Sequence, residues 1–372
     1  MNEDRSTRYQ RLKRQASLSS LVWGVALVGG LLWSGASLTL RDVAESLAAR
    51  AGPASGPTLS TVVYVGLLCA LNEIGDLSIA LYSGFFLERR YGLSNERFGG
   101  WLRDQAKAFA IGLLMACVSV SIVYWLIRVS PERWWLPAGG VFALLIVGLA
   151  NLAPVVLLPL FYRLKPLDRE SLRARLLTLA DRAGARVLGA YEWGLGDKTK
   201  KANAALAGIG ATRRILVSDT MLAQYSDEEI EVVLAHEIAH HVHGDIWKGI
   251  VFESALVLGG FYLAARALGA LAGVVGLRGV DDIAGLPLLL LAAGAVSVAM
   301  VPVAHAMSRA YERSADRFAL DLTRNPGAFI SAMRRLAAQN LAEEQPSRLV
   351  QWLFYSHPPI RERIAAAQAY KA

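Results

Sequence analysis

The run His236-Glu237-Ile238-Ala239-His240 contains the residues of this chain best suited to chemistry. On an α-helix, residues four apart lie one above the other, so both imidazoles face the same way. Two neutral imidazole nitrogens placed like this can hold a zinc ion. The glutamate between them can then take a proton from a water that the ion polarises. That chemistry is hydrolysis. The same five residues also occur by chance in helices whose histidines merely pack or face water, so the elements around them decide the reading.

The residues just upstream start a helix. In Ser226-Asp227-Glu228-Glu229, Ser226 can cap and Glu229 can reach back, and acidic residues suit a helix N-terminus. Ile230, Val233 and Leu234 follow at helical spacing. Far downstream, Ser308-Arg309-Ala310-Tyr311-Glu312-Arg313-Ser314-Ala315-Asp316 sets Glu312 and Asp316 one turn apart. A catalytic zinc takes three protein ligands and keeps one position open, and Glu312 can supply the third. Asp316 can then hold the free ring nitrogen of a zinc histidine. The competing reading is a solvated charged face, because Arg309, Arg313 and Arg317 are interleaved.

Between His240 and Glu312 lie long apolar segments, and the composition points to a membrane protein. Hydrophobic residues make up 54%, charged residues only 19%, and the mean hydropathy is +0.36. A crossing needs roughly 20 apolar residues. The sequence predicts six spans: Leu21–Leu40, Ser60–Phe86, Phe109–Ile127, Trp134–Phe161, Ile250 to about Leu277, and Leu286–Ala306. In the fifth, Glu253 and Arg266 interrupt the run, leaving either one tilted span or a shorter span with an interfacial piece. The first apolar stretch is too long for a cleavable signal peptide and reads as an anchor.

Basic residues set the orientation. Arg5, Arg8, Arg11, Lys13 and Arg14 precede the first span, and Arg89, Arg90, Arg97, Arg103 and Lys107 fill the second loop. The first, third and fifth loops hold only Arg41 and Arg50, Arg128 and Arg133, and Arg266 and Arg278. Cytoplasmic loops carry the excess, so the N-terminus, the Arg163–Lys248 segment and the C-terminal tail are expected inside. The net charge of +8 follows from this bias and from anionic inner-leaflet lipid, with no nucleic-acid partner required. Cys69 and Cys117 both fall within spans and read as small buried hydrophobes, providing neither a disulfide framework nor a thiolate metal set.

The cytoplasmic segment reads as a small α+β unit. A helix is expected over Ser171–Ala183, then strands over Arg186–Trp193, Ala202–Ala207 and Arg213–Ser218, then the zinc helix. The fold class is therefore mainly α: a polytopic membrane-helix bundle with a small α+β zincin-like cytoplasmic catalytic unit. Four regions follow: 1–163 with four spans, 164–248 ending in the zinc helix, 249–307 with two spans, and 308–372 completing the active site.

The order His-Glu-Ile-Ala-His, a membrane segment, Ser308 to Asp316, then Phe354-Tyr355-Ser356-His357-Pro358-Pro359 resembles the type I CAAX prenyl proteases, integral-membrane zinc proteases with bacterial relatives. The heat-shock membrane protease HtpX is a more distant relative. Further matches are Leu87 to Ser94, Asp104 to Lys107, Pro159-Leu160-Phe161, Ala202-Asn203-Ala204 and Arg213 to Thr220. The resemblance implies one zinc per chain on His236, His240 and Glu312, with Glu237 as base and Asp316 behind a ligand. It also implies a helix bundle around a large water-filled chamber, with the metal near its cytoplasmic end. Two departures bear on substrate preference: the chain is shorter than the eukaryotic enzymes, with six spans counted where they have seven, and Ala205 and Leu206 stand where aromatic residues often follow the Asn-Ala pair.

The mechanism expected is metal-assisted peptide hydrolysis, in which Glu237 takes the water proton and later delivers it to the leaving amine. His357, held by a rigid Pro-Pro turn, is the candidate donor to the oxyanion; its plainer role is that of an interfacial histidine at a helix start. The Asn203, Ala204 and Ala205 stretch, read as an exposed strand edge, can take the peptide as an added strand. His241 points about 100° from His240 and cannot share the metal site, and a second-shell or solvent contact is expected for it. His243 is likewise surplus near the metal, and His305 precedes Glu312 by one or two turns. Asn72, Glu73 and Asp76 inside the second span are expected to line a wet chamber or to pair with Arg or Lys.

Expected partners are peptide or membrane-protein substrates and the lipid bilayer, in a bacterial inner membrane; the oligomeric state is not set by the sequence. The alternatives are an HtpX-like quality-control protease for membrane proteins or, in another class, a non-hydrolytic scaffold or transporter. No paired broken helices in matching halves favour a transporter.

Overall fold

A computed structural model describes residues 4–51, 56–208 and 210–371. The Ala/Gly/Pro-rich loop 51–57 lies for the most part outside them. Among the described residues six helices are long and apolar enough to cross a membrane. They are α1 (Arg5–Trp33), α3 (Pro57–Ala80, continuing through a π-turn to Arg90), α4 (Phe98–Val129), α5 (Trp135–Phe161, including a π-turn), α9 (Asp245–Leu271) and α10 (Leu286–Thr323).

The first predicted span, Leu21–Leu40, needs correction. Helix α1 stops at Trp33, because Gly35 adopts a left-handed φ of 71° and the Ser34 hydroxyl donates to the Gly30 carbonyl at 2.7 Å. A separate α2 (Ala36–Ala49) follows. At 14 residues and about 1.5 Å rise each it is too short to span. It lies over the end of the bundle, where its buried Arg41 reaches Asp282 at 2.6 Å. In the other direction α1 extends back to Arg5, so the basic leader is itself helical.

The fifth span is one unbroken helix despite Glu253 and Arg266. The sixth runs 38 residues, through Pro302 and on past residue 307, without interruption. Its apolar half and its chemically active half are thus one rigid rod. Small residues let α9 pack closely between α5 and α10: a Cβ on Gly139 would come within 2.5 Å of Leu258, and one on Gly260 within 3.3 Å of Ala293.

Packing is concentrated at the two ends of the bundle. Away from the catalytic unit, Tyr64, Val65, Tyr124, Ile127, Trp134, Phe261, Leu268 and Leu286 form one core. The other core belongs to the catalytic unit and joins Leu172, Leu176, Ile215, Val217, Ile230, Leu234, Phe329 and Met333. Between them no residue is buried over 17–36, 69–84, 102–122, 140–161, 246–259 and 290–308. A solid bundle buries one stripe of every helix. These helices bury none at mid-height, so the middle of the bundle is hollow. Asn72, Glu73 and Gln105 line a cavity of about 430 Å³ there, and the Ser20 hydroxyl donates to Asp76. Among the described residues no Arg or Lys forms an ion pair with Glu73 or Asp76; Glu73 lines the cavity, and Asp76 is held by Ser20.

The catalytic unit carries a four-stranded sheet in the order β1-β2-β4-β3. Strands β2 (Ala190–Gly194), β3 (Ala204–Ala207) and β4 (Arg214–Ser218) lie within the three predicted runs, β2 extending one residue beyond its run. Strand β1 (Arg163–Pro166) was not foreseen; its four residues come straight off the fourth span and show no alternation long enough to read. β1 pairs antiparallel with β2, β2 parallel with β4, and β3 antiparallel with β4. Helix α6 (Glu170–Arg182) forms within a residue of the expected Ser171–Ala183, and α7 (Asp219–Gln224) leads into α8 (Asp227–Val242), which carries both histidines of the motif.

Candidate active site

The capping box at the start of α8 forms as read. The Ser226 hydroxyl accepts the Glu229 amide at 3.2 Å, and Glu229 Oε2 accepts the Ser226 amide at 2.9 Å. Glu229 is further held by Arg335 Nε at 2.9 Å, which joins α8 to α11 (Pro326–Asn340). The helix start is thus fixed two and a half turns before the imidazoles, and Ile230, Leu234 and Ile238 bury the opposite stripe in the core.

His236, His240 and Glu312 converge, with one ligating atom of each within 4.8 Å of the others. His236 Nε2 is 3.2 Å from Glu312 Oε2, and His240 Nε2 is 3.4 Å from Glu312 Oε1. Both imidazoles therefore turn Nε2 to the same carboxylate. Each Nδ1 is held from behind: that of His236 by Asp316 Oδ1 at 2.8 Å, that of His240 by Asp245 Oδ2 at 3.0 Å. Such pairs set the tautomer that leaves Nε2 free to ligate. Glu312 Oε2 is buried and makes no well-directed hydrogen bond, although His357 Nδ1 lies 2.8 Å away. Two histidines and a carboxylate, converging on one point with a buried oxygen left over, fit a divalent metal such as zinc.

Burial alone would lower the pKa of His236. Its hydrogen bonds to Asp316 and Glu312 outweigh that in the metal-free cluster and push it up to about 9. Burial also raises the Glu237 carboxyl, against the pull of the neighbouring imidazoles. A base held above its ordinary value is better matched to accept a proton near neutrality.

His357 sits at the cluster, three residues before Ile360 opens α13 (Ile360–Gln368), with Pro359 as the cap. Its placement depends on α12 (Arg348–Phe354), whose last carbonyls accept from Arg309 Nη1 on α10: Gln351 at 3.1 Å and Tyr355 at 2.7 Å. Asn203, Ala204 and Ala205 lie at the edge of the sheet, since β3 is its last strand. The Asn203 carbonyl accepts the Ser218 amide at 2.9 Å, so Asn203 and Ala205 turn their main chain toward β4 and Ala204 turns outward. His241 stands apart from the His236, His240 and Glu312 cluster; its Nε2 donates to the Leu206 carbonyl at 2.7 Å and so ties β3 to α8. His243 meets Ser314 at 3.3 Å and the ring of Phe318. His305 Nδ1 is buried with no partner among the described residues and belongs to no metal cluster found there.

Two residues at the site escaped the sequence reading. Asp245 follows Gly244, whose φ of 69° ends α8 and reverses the chain into α9. A glycine stop with an acid just beyond it was a usable signal. Arg363 clamps Asp316 from α13, and nothing local to its sequence announces that.

Comparison with known proteins agrees with this geometry. Residues 166–371 match the family model described as peptidase family M48. Residues 2–163 match the one described as CAAX prenyl protease N-terminal, five membrane helices. The chain is 32% identical over 314 residues to the uncharacterized metalloprotease YhfN of Bacillus subtilis, covering 83% of this chain and 74% of that one. It is 25% identical over 389 residues to CAAX prenyl protease 1 of Saccharomyces cerevisiae, covering 97% and 84%. The crystal structure of S. mikatae Ste24p superposes with a TM-score of 0.84 at 23% identity, covering 97% of this chain and 87% of that chain. With its helix bundle, its convergent His-His-Glu cluster and these matches over nearly its whole length, the chain belongs to peptidase family M48 and is an integral-membrane metalloprotease.

Proposed function

We propose that this protein holds one zinc ion on His236, His240 and Glu312 and hydrolyses peptide bonds at the cytoplasmic end of the hollow bundle. The observation that carries this reading is the convergence of one ligating atom from each of those side chains within 4.8 Å, with the Glu237 carboxylate electrostatically coupled to all three. Zinc bound there would polarise the attacking water and the scissile carbonyl. Glu237 takes the proton of that water and gives it to the leaving amine. His357 donates to the oxyanion that forms on the scissile carbonyl. Asp316 and Asp245 hold the two imidazoles in the ligating tautomer. The outward edge of β3 at Ala204, with Asn203 and Ala205 holding it to β4, keeps the peptide extended.

Substrates are peptides or membrane-protein segments that reach the site through the bundle, in contact with the lipid bilayer. The charge bias of the loops supports an N-terminus and an active site on the cytoplasmic side. The relationship to a Bacillus subtilis metalloprotease favours a bacterial membrane.

The test is cleavage of a quenched peptide by the purified full chain in detergent. Activity should vanish on chelation, return with zinc, and be absent from Glu237→Gln, which should keep its metal. Undiminished cleavage by Glu237→Gln would remove Glu237 as the base.

A further inference from the structure

The outer edge of β3 is already partly occupied by the protein itself. Because Asn203 and Ala205 face β4, the outward main-chain groups belong to Ala202, Ala204 and Leu206. The side chain of Asn340, at the end of α11, takes both groups of Ala202: Oδ1 accepts the amide at 3.2 Å and Nδ2 donates to the carbonyl at 3.3 Å. At the other end His241 Nε2 donates to the Leu206 carbonyl at 2.7 Å. Of the three outward carbonyls, only that of Ala204 has no partner among the described residues.

Resting on the reading of β3 as the substrate strand, we infer that Asn340 and His241 are edge stops that set how the peptide is gripped. They leave a window from Ala202 to Leu206, four steps of about 3.4 Å, or about 14 Å. Within it a substrate can donate one N–H to the strand, to Ala204, and no more. A longer ladder would have to displace one of the two side chains. The substrate class this selects is a short, locally extended segment, such as a flexible tail or loop. A preformed β-strand, or a peptide that needs several main-chain bonds for affinity, is disfavoured. The carboxamide of Asn340 imitates the pairing of a strand residue, donating and accepting as a peptide group does. His241 fixes the opposite limit while staying off the metal.

An ester scan tests this with the zinc-loaded full chain. A quenched peptide cleaved at a single bond is made as a series in which each amide in turn is replaced by an ester, which removes one substrate N–H. Losing a used hydrogen bond should raise KM roughly three- to tenfold. In the unaltered protein one position should respond, the residue opposite Ala204. In Asn340→Ala a second responsive position should appear two residues away, opposite Ala202. Asn340→Asp keeps the acceptor for the Ala202 amide but lacks the donor. It should show the same second position with its fold held, checked by zinc content and thermal unfolding. In His241→Phe the second position should appear on the other side, opposite Leu206. Three alternating responsive positions in the unaltered protein, or scans unchanged in the folded variants, would overturn the edge stops. Cleavage with no responsive position anywhere would instead remove β3 as the docking strand, and the inference with it.

Discussion

Arg363 grips both carboxylate oxygens of Asp316, through Nε at 2.8 Å and a terminal nitrogen at 2.5 Å, while Asp316 holds His236 Nδ1 at 2.8 Å. His236 is thus aimed by a relay that begins on the last helix of the chain. The Arg363 side chain is only 10% exposed, and burial works against its charge, but the charges of Asp316 and Glu312 outweigh this and raise its guanidinium. Asp316→Asn should weaken zinc binding roughly 10–100-fold with the fold retained. Arg363→Ala should do the same and also cost about 3 kcal/mol of stability, because it strands a buried carboxylate. Competitive metal titration and thermal unfolding distinguish the two variants.

The ligand assignment is tested by truncation. His236→Ala, His240→Ala and Glu312→Ala should each lose most of the bound metal, since two protein ligands remain where a catalytic site uses three. Elemental analysis of the purified proteins checks this. Full zinc content in Glu312→Ala would exclude it as a ligand.

Proline scanning of β3 separates docking from folding. The Ala204 amide points away from β4, so Ala204→Pro removes an outward donor and spares the ladder. The Ala205 amide faces Leu216, so Ala205→Pro removes a ladder bond. Ala204→Pro should lower kcat/KM at least tenfold with little change in thermal stability; Ala205→Pro should lower the unfolding temperature. Equal kcat/KM in Ala204→Pro and the parent would place the substrate elsewhere.

Metal affinity should depend on pH in a definite direction. His236 in the metal-free protein is raised from 6.5 to about 9, so its proton stabilises that form fully below about 6.5 and ceases to as pH rises through about 9. Zinc has to displace this proton. Affinity should therefore climb about tenfold per pH unit above neutrality and level off near 9. The thermal stability of metal-stripped protein should fall over the same interval. A flat zinc-affinity profile would mean that His236 is already neutral.

Orientation is checked by labelling single cysteines introduced at exposed positions on opposite ends of the bundle. A membrane-impermeant reagent applied to intact cells should reach a cysteine at Arg133 and not one at Lys200, if the excess of basic residues marks the cytoplasmic side. The reverse pattern would put the active site outside.

The sequence by itself determined the parts whose information is local. The apolar lengths specified six membrane helices because a helix must satisfy its own backbone in lipid. The capping box and the i, i+4 histidines specified α8 and the direction of both imidazoles, because helical periodicity alone carries that. Even β3 and β4 were legible, being short apolar runs between glycine turns. Family resemblance, more than spacing, singled out Glu312 and His357. What only the tertiary structure decided was which distant segments meet. Helix α10 had to run unbroken from the membrane to Thr323 before Glu312 could face α8. The short α2, set off by one left-handed glycine, reads in composition like a continuation of α1. Arg363 and Asn340 act through contacts 47 and 138 residues away along the chain. No periodicity encodes such a contact, because it exists only once two cores have packed and brought their ends together.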